Sequence, residues 1–412
     1  MTWKDSVEAE GTARSSREFL RRRNRYFILK AIDKAGPLSR HDIVNLVRIR
    51  PATVIHFVDK LIKDGFVSEL GPGESSGGRR PILLEFNPEA RLAIGVYLGE
   101  ARIMAAMVNL RGKIIRLKKR EVGGFGSKEQ LTADTVRIIS KLIINSATKK
   151  EKVIGIGLGV PGLVDRKKGV SLFCALYRWW KEIPFKEILE KKFGVSVHVE
   201  NDTRVLTLAE KWFGLGKEIN NFLYLDVEEG IALGMFLDGI LYDGVGGSAG
   251  ELGHVTIDSN GPLCKCGNRG CLEAVASTDA IEERIKELLS RGAQSILKDN
   301  LKGKLERVRF SDIVRAAKSG DGLARQVLEE AGRYLGIGVA NLVNLLNPGL
   351  IIVGGLITQV EEFVLEPMKV ILKQRALSKP AGEVQIRVTQ LSETAGALGA
   401  ASLVLQKFFE TY

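Results

Sequence analysis

The chain has 412 residues, of which 45% are hydrophobic and 27% charged, with a formal net charge of +12. That length exceeds what one compact core supports and predicts two or three folded units of an ordinary globular protein. The longest apolar stretch, Val153 to Val164, is broken by glycine and too short to cross a bilayer, which excludes a transmembrane reading. The N-terminus carries Lys4, Asp5, Glu8 and Glu10 where a signal peptide needs an apolar run, so residues 1–16 read as a solvated arm and a cytoplasmic location is expected.

The charge is concentrated at the N-terminus, where fifteen basic residues face seven acidic ones between Gly11 and Arg80. Apolar residues at helical spacing predict a helix over Phe19 to Ala35, stopped by Gly36-Pro37. Ser39 is a good N-cap for a second helix, Arg40 to Leu46, and Pro51 suits the first position of a third, which runs to Asp64 and ends at Gly65. Phe66 to Leu70 and Ile82 to Phe86 read as strands joined by a turn. Three helices, a hairpin and surplus basic charge predict a winged helix-turn-helix over residues 1–88, with its third helix in the major groove of DNA. Val54, Phe57, Val58, Leu61 and Ile62 would face the core, leaving Arg50, Ala52, Thr53, His56 and Lys60 for DNA. Arg50 and His56 suit base edges; Thr53 and Lys60 suit phosphate. In the wing, Arg79 and Arg80 follow Gly77-Gly78 and suit a minor groove or a phosphate. The rival reading is a small helical interaction module with solvated arginines.

Beyond Asn87-Pro88 strands alternate with amphipathic helices, which predicts an α/β domain in two lobes. Strands are expected at 91–96, 103–110, 153–159, 197–200, 222–227, 232–237 and 350–353. Helices are expected at 130–147, 184–193 and 203–213, with three or four more in the C-terminal part. The expected division is a first lobe over 89–202 and a second over 203–393, with a C-terminal helix over about 394–412 packing back on the first.

Three of the four cysteines, Cys264, Cys266 and Cys271, fall together, with His254 ten residues upstream of the first. In a cytosolic chain this favours a metal over a disulfide, and a closed Cys3His set predicts a structural zinc ion that staples a loop. The rival is a group of reduced, buried thiols.

Glu251-Leu252-Gly253-His254, the Cys-x-Cys-Gly-x-x-Gly-Cys-x-Glu run ending at Glu273, Asn201-Asp202 and Gly159-Val160-Pro161-Gly162 together resemble the ROK family of bacterial repressors and sugar kinases. The wing sequence Gly77 to Pro81 is similar to that of the family's repressors. The resemblance covers nearly the whole chain and implies a two-lobed, actin-like or sugar-kinase-like (ribonuclease H-like) domain behind the winged helix. It implies that a monosaccharide is held by Asn201, Asp202, Glu251, His254 and Glu273, with Pro161 and Gly162 letting the backbone approach the ring. Carboxylates and an amide suit adjacent sugar hydroxyls, and a metal-bound imidazole offers its second nitrogen.

In the family's kinases the position of Asp202 is the general base, so an ATP-dependent sugar kinase with an added DNA-binding domain is the alternative. The kinases carry Asp-x-Gly-Gly-Thr where this chain has Tyr97-Leu98-Gly99-Glu100-Ala101, and Gly-Thr-Gly-Ile-Gly where it has Glu228-Glu229-Gly230-Ile231-Ala232. Acidic groups at phosphate cradles repel ATP, which argues against an enzyme. The third glycine turn, Gly354-Gly355, survives and suits packing alone. The resemblance therefore implies a sugar-responsive repressor of carbohydrate-utilisation genes, acting as a homodimer or dimer of dimers on double-stranded operator DNA, with no membrane partner. A regulator gated by a protein partner is a third reading. Arg48 and Arg50 depart from the small residues usual before the family's recognition helix, and Cys174 to Trp180 belong either to the pocket walls or to loop packing.

Overall fold

Apolar residues at helical spacing place Ile28, Leu29 and Ile32 on the inner face of the first helix, α1 (Ala13–Ala35), in one core with Ile43 of α2 (Arg40–Val47) and Val54, Val58 and Leu61 of α3 (Pro51–Lys63). The structure is a computed structural model and describes residues 13–73, 80–99, 102–144, 152–174, 177–300 and 303–411, with residues 13–19 and 299–300 described for the backbone only. The first helix starts at Ala13, so the last part of the expected arm is helical. Ser39 caps α2 as expected: its hydroxyl accepts from the Asp42 N–H at 3.2 Å, and the Asp42 carboxylate accepts from the Ser39 N–H at 2.9 Å. Hydrogen bonds from the Ser39 hydroxyl and backbone hold the Asp42 carboxyl below its usual range.

The wing has three strands rather than two. Besides β2 (Val67–Pro72) and β3 (Ile82–Phe86), Leu38 and Ser39 form a short strand, β1, that pairs antiparallel with β3 through Leu38 and Leu84. Two residues are too few to leave an alternating pattern, so this strand had no sequence signal.

The chain divides into two compact units, one of residues 1–209 with 393–412 and the other of residues 210–392. The first unit holds the winged helix and a five-stranded sheet. Its strands are β4 (Leu92–Leu98), β5 (Arg102–Asn109), β6 (Ile114–Glu121), β7 (Val153–Val160) and β11 (Ser196–Asn201), in the order β11-β7-β4-β5-β6. Here α4 (Lys128–Ile144) follows β6. A small sheet of β8 (Leu163–Asp165), β9 (Val170–Phe173) and β10 (Lys181–Ile183) precedes α5 (Phe185–Phe193), and α6 (Asp202–Phe213) follows β11. Strand β6 was not expected: its Arg116, Lys118, Lys119 and Arg120 mark an edge strand defended by charge.

In the second unit the strands are β12 (Phe222–Val227), β13 (Ile231–Leu237), β14 (Ile240–Leu241), β15 (Leu350–Gly354) and β16 (Gln385–Val388), ordered β14-β13-β12-β15-β16. Its helices are α7 (Leu272–Ala276), α8 (Thr278–Ser290), α9 (Ile296–Asn300), α10 (Phe310–Lys318), α11 (Gly322–Leu346), α12 (Glu361–Arg375) and α13 (Ser378–Glu383). Both sheets are wired alike. A three-stranded antiparallel meander comes first, then two parallel strands add on the other side of its first strand. This ribonuclease H-like duplication leaves no residue period, because it repeats strand pairing rather than residue identity.

The last helix, α14 (Ala395–Thr411), returns to the first unit and lies on β4 and β7. Its backbone rests where the strands carry Gly95 and Gly157, and a Cβ at either would overlap the Ala397 or Ala400 carbonyl oxygen. No helix among the described residues is long and apolar enough to cross a membrane.

Gly157→Ala should therefore lower the unfolding free energy by roughly 1–3 kcal/mol or more in a urea titration, as overpacking does. Gly382→Ala, at a helical site with open space around it, should leave it unchanged or raise it by up to about 1 kcal/mol.

Candidate functional site

Helix α3 buries Val54, Phe57, Val58 and Leu61, with Ile62 packed at the edge of the same core. Ala52, His56 and Lys60 are exposed and four residues apart, which puts them on one stripe of the helix. Arg50, the N-cap residue, is exposed beside the start of that stripe, and Thr53 is half-buried. A second outward row holds Ile55, Asp59 and Lys63. Arg40 donates to Asp59 at 2.9 Å and to Glu69 of β2 at 3.2 Å, tying the wing to α3; sequence reading assigned Arg40, Asp59 and Ile55 no part. Arg48 ends α2 in the left-handed region at φ 53°, with its N–H donating to the Val44 carbonyl. Arg80 is exposed, whereas Arg79 lies outside the described residues.

In the first unit β7 and β11 run parallel with Val160 opposite Asn201, so Pro161 and Gly162 leave the sheet beside Asn201. The Asn201 amide donates to the Gly162 carbonyl at 3.1 Å and to Asp202 Oδ1 at 2.8 Å. Asp202 Oδ1 also accepts from the Thr203 N–H at 2.8 Å, and Asn201 Oδ1 from the Arg204 N–H at 3.1 Å. Asp202 opens α6, where the helix dipole favours its negative charge. Gly162 has φ 81°, and a Cβ there would overlap the Phe173 carbonyl, so only glycine fits.

Beneath these residues lies a buried ion pair that sequence reading missed. Glu200 accepts from Arg204 Nε at 3.0 Å, from the Asn201 N–H at 3.0 Å and, at 3.5 Å, from Arg166. Burial lowers the Arg204 pKa despite the pull of Glu200. The Glu200/Arg204 spacing of four was the available signal. Trp180 is fully buried, donates to the Ser171 hydroxyl at 2.8 Å and packs against Phe125, Tyr177 and Phe185, so it belongs to loop packing; Ala175 and Leu176 lie outside the described residues.

In the second unit Gly250 to His254 runs along β13, where the Leu233 N–H donates to the Gly250 carbonyl at 3.0 Å. Glu251 and His254 are exposed there. Glu273, in the first turn of α7, accepts from the Ile231 N–H at 3.1 Å. The Leu272 N–H donates to the Val255 carbonyl at 3.0 Å, joining this helix to the His254 segment.

The four expected ligand groups, His254, Cys264, Cys266 and Cys271, meet with their ligating atoms all within 4.8 Å of one another. Cys264 Sγ lies 3.7 Å from His254 Nδ1, and Cys266 Sγ 3.7 Å from Cys271 Sγ. Zinc–sulfur bonds of about 2.3 Å make tetrahedral edges of about 3.8 Å, so the spacing fits zinc. Burial, then the neighbouring thiols, pushes the Cys271 thiol up to about 12. The Asn268 backbone N–H, the leading cause, holds Cys266 lower. Crowded thiols of this kind favour a cation that lets them ionise together. Nδ1 faces the thiols, which leaves Nε2 as the other imidazole nitrogen. Cys271 caps α7, two residues before Glu273.

At the positions that the resemblance matches to kinase phosphate loops, the Tyr97 ring lies against Gly396 of α14, and Glu100 and Ala101 fall outside the described residues. Glu228 and Glu229 are half-buried in the β12–β13 turn, which closes through a 2.9 Å hydrogen bond from the Glu228 N–H to the Gly230 carbonyl. Gly354 is pressed against the Tyr224 hydroxyl and Gly355 against the Val227 carbonyl, so packing alone requires both glycines.

A winged helix joined to two sheets of one ribonuclease H-like topology is the architecture of a regulator built on a sugar-kinase fold. The chain belongs to the ROK family, whose sequence model matches residues 93–407. It is 34% identical over 388 residues to the xylose repressor of Caldicellulosiruptor bescii, covering 94% of this chain and 96% of that one. It is similar to a solved ROK family transcriptional regulator, a homologue of the Escherichia coli MLC protein, with TM-score 0.83, 29% identity and coverage of 95% and 97% of the two chains. A ROK family glucokinase from Streptomyces griseus, solved with glucose and AMPPNP, matches with TM-score 0.67 and 28% identity over 76% of this chain and 99% of its own.

Removing one member of the ion pair beneath Asn201 leaves a charge in the interior. Arg204→Met should lower the unfolding free energy by about 3–5 kcal/mol, read as a fall in the urea midpoint; an unchanged midpoint would show the pair to be dispensable.

Proposed function

We propose that this protein is a sugar-responsive transcriptional repressor of carbohydrate-utilisation genes, and that it is not a kinase. The observation that carries the reading is the exposed stripe of Ala52, His56 and Lys60, with Arg50 at its head, on a winged helix joined to a sugar-kinase fold. Arg50 and His56 read base edges, Thr53 and Lys60 hold phosphate, and Arg79 and Arg80 extend the contact from the wing. The protein acts as a dimer on a palindromic operator whose half-sites lie about one helical turn apart.

The effector is a monosaccharide, and Asn201, Asp202, Pro161, Gly162, Glu251, His254 and Glu273 recognise it. Three carboxylates and an amide suit vicinal hydroxyls, and the Nε2 of His254 adds one polar contact. A structural zinc ion held by His254, Cys264, Cys266 and Cys271 fixes the cap of α7 and with it Glu273. It supplies fold rather than chemistry, because all four positions are taken by protein.

Phosphoryl transfer depends on positioning and neutralising phosphate charge. Tyr97 in place of a carboxylate, and Glu100, Ala101, Glu228 and Glu229 at the other phosphate positions, oppose both needs. Asp202 is the base position of a kinase and here serves the sugar hydroxyls alone. The xylose repressor among the relatives makes xylose the first sugar to test, followed by glucose and N-acetylglucosamine.

Fluorescence anisotropy with operator DNA should show an affinity changed about 5–150-fold by the effector, a coupling of about 1–3 kcal/mol. Lys60→Ala should weaken binding to all sequences alike and reduce the salt slope by about 1. Steady conversion of labelled ATP and a sugar into sugar phosphate would favour the kinase reading instead. Cys271→Ser should bring zinc, measured by elemental analysis, from about one ion per chain to near none and weaken sugar binding through Glu273.

A further inference from the structure

The first unit contains a continuous run of packed contacts from Asp202 to the core of the winged helix. Helix α6 begins at Asp202, and three residues on, the Val205 carbonyl presses on α14 at Gly399, where a Cβ would overlap it. From there α14 runs toward the DNA-binding module, its seventeen residues spanning about 25 Å. At its far end Phe408 packs tilted against Phe66 with centroids 5.7 Å apart, and Phe409 meets Tyr26 of α1 at 6.4 Å. Ala397, Ala401, Val404 and Leu405 of α14 share one core with Ile28, Val58, Leu61 and Leu84 of the winged helix. Arg111 of the β5–β6 turn adds an ion pair to Asp33 at 2.7 Å and stands over the Phe86 ring at 5.3 Å.

The two ends of α14 are packed differently. Its N-terminal half rests on Gly95 and Gly157 with backbone against backbone, a contact that transmits any shift because no side chain can yield. Beside its C-terminal half a cavity of about 190 Å³ opens, lined by His198 and Glu200 of β11 and by Leu403, Gln406, Lys407 and Glu410 of α14. Strand β11 ends at Asn201. The same helix is therefore gripped at Gly95 and Gly157 and has open space beside its C-terminal half.

We infer that α14 is the coupling element of the repressor: sugar at Asp202 shifts α6, Gly399 passes the shift to α14, and Phe408 and Phe409 re-aim the winged helix. This rests on the reading of the protein as a sugar-responsive repressor and names the part that carries the response. Coupling of this kind requires two arrangements of one packed element, each favoured by one ligand. The rings at 408 and 409 are suited to it, since they are only half-buried and touch Phe66 and Tyr26 of the winged helix.

The test compares operator affinity with and without the sugar that calorimetry shows to bind, in wild-type protein, Phe408→Ala and Phe409→Ala. Sugar affinity of the DNA-free proteins and their thermal melts are recorded alongside. Both side chains are only partly buried, and Phe408→Leu serves as the conservative control. The wild-type ratio of the two operator affinities should fall toward 1 in Phe408→Ala and partway in Phe409→Ala, with sugar affinity within about twofold of wild type, and Phe408→Leu should recover most of the ratio. A wild-type ratio preserved in folded Phe408→Ala and Phe409→Ala overturns the coupling role while leaving the repressor reading intact. A wild-type ratio of 1 with the bound sugar removes the repressor reading and the coupling with it.

Discussion

The arrangement of the first unit depends on a close approach of backbones. Gly95 and Gly157 let α14 lie directly on β4 and β7, and its apolar side chains then complete the core of the winged helix. A DNA-binding module joined only by a linker would respond to a distant ligand through proximity alone. Here the module and the sheet share buried side chains, the Arg91 guanidinium stands 4.9 Å from the Phe66 ring centre, and Arg111 pairs with Asp33. A shared core links α3 directly to the sheet whose strand β11 ends at Asn201.

On the proposed reading the family's kinase fold has a different use here. The Asp202 position is retained at the start of α6 and its carboxylate is held by the Asn201 amide and the Thr203 N–H. A base aimed at a sugar hydroxyl and a carboxylate that merely recognises one need the same placement. On the proposed reading the phosphate side separates the two uses, because an aromatic ring at Tyr97 and acidic residues at Glu228 and Glu229 would offer a triphosphate neither a metal ligand nor a cradle of positive potential.

Much of this was legible in the chain. The helical periods of α1 to α3, the cap at Ser39 and the Pro51 start are local signals, and the structure follows them closely. The metal cluster was legible because its ligands lie within eighteen residues of one another, and spacing alone limits their geometry. Strand β1 was too short for alternation. Strand β6 was masked by its charges, and the Glu200–Arg204 pair took its meaning from burial, which no spacing reveals. The duplicated sheet topology was invisible for a similar reason, since it resides in which strands pair. The contact between Val205 and Gly399 joins residues nearly two hundred positions apart, beyond the reach of any local pattern.

A repressor coupled through α14 feels sugar binding within the winged helix itself. Hydrogen exchange followed by mass spectrometry, with and without the bound sugar and in the absence of DNA, tests this directly. Exchange should change in peptides covering 161–162 and 201–205, and also along α14 and in the segments around Tyr26 and Phe66. Changes confined to the residues around Asn201, Glu251 and Glu273, with α14 and the winged helix exchanging as before, would contradict it.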